Sequence, residues 1–151
     1  MYSKEEAFQI KKKFWVSLGQ YMALQVSSEG NRINWLNYKT GVKDLYFRTQ
    51  FDNKSAWINI ELAQKDLTIQ ESLYEKFEMF SGLLADEVGE DWIWNKKVYD
   101  EQGKIVCTIG IHFENKSIFR ESDWKDVIDF FKVRLIALDR FWNTYKEAFE
   151  I

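Results

Sequence analysis

The chain reads as an α+β domain with a mostly antiparallel four-stranded sheet covered by helices. Three observations predict this. Apolar residues recur at helical spacing in three segments, the period falls to two in the two stretches between those segments, and each such stretch folds back through a polar turn. The predicted order is helix, hairpin, helix, hairpin, helix, an arrangement that belongs to the α+β class. At 151 residues the chain has the length of a single domain, 1–151, and a domain of that length buries roughly 68–70% of its unfolded surface.

The first helix is signalled by Ser3-Lys4-Glu5-Glu6, in which Ser3 and Glu6 stand at capping-box spacing, and it is expected to run to about Met22. Ala7, Lys11, Phe14, Leu18 and Tyr21, flanked by Phe8, Trp15 and Met22, form its stripe. Residues 27–41 carry Ser, Gly and Asn and read as a loop with a short turn at Trp35 and Leu36. Within it, Asn34-Trp35-Leu36-Asn37-Tyr38-Lys39-Thr40-Gly41-Val42 reads as the structural entry into the sheet.

From Val42 the period is two. Leu45, Phe47, Thr49 and Phe51 alternate with polar neighbours, Asp52-Asn53-Lys54 turns, and Ala56, Ile58, Ile60 and Leu62 return. Thr68 and Glu71 form a second capping-box pattern for a helix over 68–87, ended near Gly89. The second hairpin runs from Trp92-Ile93-Trp94 through the turn Asp100-Glu101-Gln102-Gly103 to Ile105, Cys107, Ile109, Ile111 and Phe113. Ser122-Asp123 then offers N-cap oxygens to a final helix reaching about Phe149. That helix would be about 40 Å long. It either packs across the sheet or meets a second subunit through Phe141, Trp142 and Tyr145.

Composition narrows the function classes. A net charge of −3 argues against a dedicated nucleic-acid binder, because phosphate contacts need a basic face. The absence of a charged-then-apolar leader and of an apolar run of ~18 residues predicts a soluble, cytoplasmic protein that does not enter a membrane. One cysteine and one histidine supply neither an internal disulfide nor a zinc cluster, and Cys107 reads as a small buried hydrophobe. No glycine-rich phosphate loop is present, so no cofactor is indicated. Aromatics make up 17% of the residues, more than a core of this size needs. Some are therefore expected on the surface, at a homodimer contact or a protein partner.

The turn at Asp52 to Ser55 sets a register that places Phe51 opposite Ala56, Arg48 opposite Asn59 and Tyr46 opposite Glu61. The polar face so formed is the candidate ligand-binding site, with Tyr46, Arg48, Trp57, Asn59 and Glu61 on it and Tyr38 and Lys39 at its rim. Trp57 offers a stacking surface and Arg48 a fork of donors. Asp44 lies diagonal to Glu61 and Lys65, and two carboxylates with a lysine have the chemistry of a Mg²⁺-dependent nuclease. The spacing departs from a restriction-type site, since four residues rather than two separate Glu61 from Lys65. Lys11-Lys12-Lys13 beside Phe14-Trp15 reads as a solvated helix edge whose lysine stems cover apolar neighbours.

Phe14-Trp15, NWLNYKTGV at 34–42, WIW at 92–94 and SDWKDVIDFFKVRLIALDRFW at 122–142 together resemble the bacterial domain-of-unknown-function family 4268 over most of the chain. The resemblance implies a bacterial protein. Because some longer members are described as possible restriction endonucleases, it also implies a link to nucleic-acid processing or DNA defence, by association alone. It carries over no catalytic residue. The expectation is therefore an interaction or ligand-binding domain, with a divergent nuclease using Asp44, Glu61 and Lys65, or a structural partner in a larger complex, as alternatives.

Overall fold

The computed structural model describes residues 2–150. Helix α1 spans Lys4–Ala23, strands β1 and β2 span Leu45–Phe51 and Ser55–Leu62, helices α2 and α3 span Leu67–Met79 and Ser81–Val88, strands β3 and β4 span Ile93–Tyr99 and Ile105–Glu114, and α4 spans Trp124–Tyr145. All strand pairs are antiparallel, in the order β1-β2-β4-β3. Ile58, Ile60 and Leu62 pair with Ile111, Ile109 and Cys107 on the inner face, where the helices cover them. Every second residue points the other way, so Trp57, Asn59 and Glu61 share an uncovered face with His112, Gly110 and Thr108.

Local chemistry accounts for the element starts and turns. Ser3 accepts from the Glu6 N–H while Glu6 accepts from the Ser3 N–H, the reciprocal cap that the spacing predicts. Asp52 Oδ1 accepts from the Lys54 and Ser55 N–H groups and so closes the first hairpin. Its register places Arg48 opposite Asn59 and Tyr46 opposite Glu61. In the second hairpin Asp100 Oδ1 accepts from the Gln102 and Lys104 N–H groups, and Gly103 takes φ 77°. A bulge with Lys97 at φ 58° interrupts the β3 register and blunts that edge.

The middle of the chain differs from its expectation. Asp66, not Thr68, caps α2, its carboxylate accepting from the Thr68 and Ile69 N–H groups. The single helix over 68–87 is two helices that break at Phe80, next to the weak helix formers Ser81 and Gly82. The break turns Phe80 onto Tyr145 and Phe149, each 5.3 Å away between ring centroids. Residue 70 is a structural clamp: buried Gln70 donates to the carbonyls of Leu62, Gln64 and Ile105, tying α2 to the ends of two strands.

Helix α4 crosses the sheet, and a short 3-10 turn continues it over Lys146–Phe149. Asp123 precedes it without capping it; its buried carboxylate accepts instead from the Ser117 N–H and from Arg120. The aromatic end of α4 packs within its own chain. Phe141 and Trp142 are 1% exposed and Phe149 is 0% exposed, stacked around Phe77. Of the three residues predicted for a contact between subunits, Phe141 and Trp142 belong to the core, and Tyr145 is half-buried against it. In α1, Phe14, Leu18 and Met22 are buried, whereas Phe8 and Tyr21, placed in the predicted stripe, are exposed.

Candidate functional site

The polar sheet face assembles as the register requires, and its groups are committed to one another. Arg48 donates to Glu61 at 2.6 Å and lies 4.1 Å over the Tyr46 ring. Tyr46 in turn donates to Asp44 at 3.1 Å, a bond that pushes its phenol above the ordinary value. Trp57 neighbours His112, with 6.2 Å between ring centroids. Asn59 lies so closely over Gly110 that a Cβ there would stand 1.7 Å from Asn59 Oδ1. Asp44 and Glu61 thus serve different partners, Tyr46 and Arg48, and Lys65 is exposed. Among the described residues no three His, Cys, Asp or Glu side chains gather where they could hold a metal ion.

A second site lies where the long loop after α1 meets the end of α4. Two indoles anchor that loop. Trp35 Nε1 donates to the Gln25 carbonyl at 3.0 Å, and Trp142 Nε1 donates to the Thr40 carbonyl at 2.7 Å. Asn34 Oδ1 accepts from the Leu36 and Asn37 N–H groups and shapes the turn between them. Thr40 donates to the Leu45 carbonyl at 3.0 Å, which delivers the chain into β1.

Asp139 holds the two halves of this loop to α4. It is 1% exposed, and its carboxylate accepts from the Ser28 N–H at 2.7 Å, the Tyr38 hydroxyl at 2.5 Å and Asn143 Nδ2 at 3.0 Å. A buried carboxylate is tolerated only when donors surround it in this way. Burial, followed by the hydrogen bond and charge of Asp139, pushes the Tyr38 phenol far above its ordinary value, so it remains a donor.

Between the loop and the end of α4 opens a pocket of about 360 Å³, bordered by Asp139, Tyr38, Asn143, Arg32, Lys39 and Lys146 among others. That volume lies in the range of small-molecule sites. Lys146 stands 3.8 Å from Glu29; among the described residues Arg32 and Lys39 have no carboxylate partner. Tyr38 also borders a smaller cleft of about 120 Å³ with Tyr46 and Arg48, so it touches both surfaces. Lys39, expected at the rim of the sheet face, borders the larger pocket.

A family model described as "Domain of unknown function (DUF4268)" matches residues 10–146. The chain belongs to the DUF4268 family. No curated protein and no solved structure matches it. The matched span of this DUF4268 chain encloses the whole pocket, from Ser27 to Lys146. No helix among its described residues is long and apolar enough to cross a membrane.

Sequence reasoning named Tyr38 and Lys39, as the rim of the sheet face, and did not name Asp139, Asn143, Arg32 or Lys146. One signal was legible. At 100° per residue Asp139 falls about 40° from Leu135, at the edge of the stripe that also holds Leu138 and Trp142, and a charge bordering the buried side of an amphipathic helix requires partners. Asn143 is one turn away, but Tyr38 and Ser28 lie 101 and 111 residues away in sequence, where no local pattern points to them.

Proposed function

We propose that this DUF4268 domain is a binding module whose site is the pocket between the long loop and α4. One observation carries the reading: a buried carboxylate, held by three protein donors, forms the floor of a pocket whose rim includes two cations, Arg32 and Lys39, without carboxylate partners among the described residues. Such a floor is rigid, because shifting any one donor leaves a buried charge undersatisfied. The rim groups are exposed and retain unused donors. Rigid floor and open rim are what a small polar ligand needs. The link to nucleic-acid processing and DNA defence comes from the family resemblance alone; within it, this domain would recognise a ligand or partner and leave cutting to other modules.

Thermal melts with a small-molecule library, followed by amide chemical-shift mapping, test the reading. A ligand present at 100 times its Kd contributes about 2.7 kcal/mol, which for a chain of this length raises Tm by roughly 5–11 °C. Shifts confined to residues around Tyr38 and Asn143 would support the pocket. Hits that map to Trp57 and His112 would transfer the site to the open sheet face. That second reading is favoured by Ile93, 57% exposed on the same face.

A further inference from the structure

The lining of the pocket specifies a ligand class, an inference that rests on reading the pocket as a binding site. We infer that the pocket accepts a small phosphorylated sugar or polyol, its phosphate held by Arg32 and Lys39 at the rim and its hydroxyls by Asp139 and the surrounding amides.

Charge is distributed unevenly across the site. Arg32, Lys39 and Lys146 border it, opposed by Glu29 and Asp139. Glu29 is engaged by Lys146, and Asp139 by its three donors, so the two positive charges left over are those of Arg32 and Lys39. A phosphate dianion matches two such groups, and a guanidinium binds it in bidentate fashion.

The floor requires hydroxyls. A carboxylate offers about four lone-pair sites, and three at Asp139 are taken, two on Oδ1 and one on Oδ2. A ligand O–H can occupy the fourth; a second anionic group there would be repelled. Asn31, Asn34 and Asn37 add side-chain amides, each able to donate to a hydroxyl oxygen.

The same lining disfavours a stacked base. Among the described residues Tyr38 is the only aromatic one that borders the pocket, and its ring already packs against Phe47 at 5.0 Å and Trp35 at 6.3 Å between centroids. A nucleobase finds no uncommitted ring on which to stack.

Titration of the labelled full chain with ribose 5-phosphate, glucose 6-phosphate and glycerol 3-phosphate tests this, each probe compared with its unphosphorylated counterpart and with inorganic phosphate. At least one phosphorylated probe is expected to bind with a Kd below ~1 mM and at least ~tenfold tighter than its neutral counterpart and than phosphate. The double variant Arg32→Ala/Lys39→Ala should lose at least ~tenfold in affinity, with binding that weakens as salt rises in the wild type. Both side chains are exposed, so an unchanged melting temperature verifies the fold. If neutral sugars shift the Tyr38 and Asn143 resonances as strongly as the phosphorylated ones, or the double variant binds normally, the phosphate assignment is wrong while the pocket reading stands. Should no probe move those resonances and library hits map elsewhere, both are wrong.

Discussion

Replacing Tyr38 by Phe removes one hydroxyl and nothing else, which makes it a direct test of the Asp139 latch. The lost bond is short, 2.5 Å, and its acceptor is a carboxylate 1% exposed to solvent. Hydrogen bonds to a charged partner contribute about 1.5–3 kcal/mol, and the lower part of that range applies because Tyr38 is only half-buried. Asp139 would keep the Ser28 N–H and Asn143. We expect Tyr38→Phe to lose about 2 kcal/mol, or roughly 4–8 °C in Tm for a domain of this length.

Asp139→Asn replaces an acceptor with a donor and should cost at least as much. The double variant should fall short of the sum by about 1 kcal/mol or more, since contacting residues couple. Urea unfolding followed by tryptophan fluorescence measures all three. Strict additivity, or both single variants within ~0.5 kcal/mol of wild type, would refute the latch. The pH dependence has a definite sign. The folded phenol lies above its ordinary value of 10.0, so its stabilisation is whole below about pH 10 and is lost as the pH rises through the folded value. The gap between wild type and Tyr38→Phe should hold constant from neutral pH to about 9 and close above 10.

Other perturbations separate stabilising from incidental contacts. Gln70→Ala frees the carbonyls of Leu62, Gln64 and Ile105 and should cost about 2–4 kcal/mol in urea unfolding; a loss under ~1 kcal/mol would show that other groups satisfy them. A Cβ on Gly110 would stand 2.3 Å from the Ile58 carbonyl as well as 1.7 Å from Asn59 Oδ1. Gly110→Ala should therefore destabilise by about 2 kcal/mol or more, and Asn59→Gly should restore only part of it because the backbone clash persists. Arg48→Ala breaks an ion pair whose arginine is 47% exposed and should shift stability by less than about 1 kcal/mol; a larger loss would mean that the sheet face is a stability element in its own right.

What could be read from the sequence lies within a few residues of itself. The Ser3 and Glu6 cap, the Asp52 and Asp100 turns and the period of two fix hydrogen bonds between near neighbours, and the first turn carries the whole β1 and β2 register with it. That is why Tyr46, Arg48, Asn59 and Glu61 were correctly placed opposite one another, and why Cys107 was correctly placed inside. Packing decided the rest. The break at Phe80 and the burial of Phe141 and Trp142 follow from how the end of α4 meets α2, which no local window contains. The pocket depends on that docking most of all: Tyr38 and Asp139 are 101 residues apart, and only when α4 crosses the sheet does its one inward-facing carboxylate reach the loop that the stretch NWLNYKTGV forms.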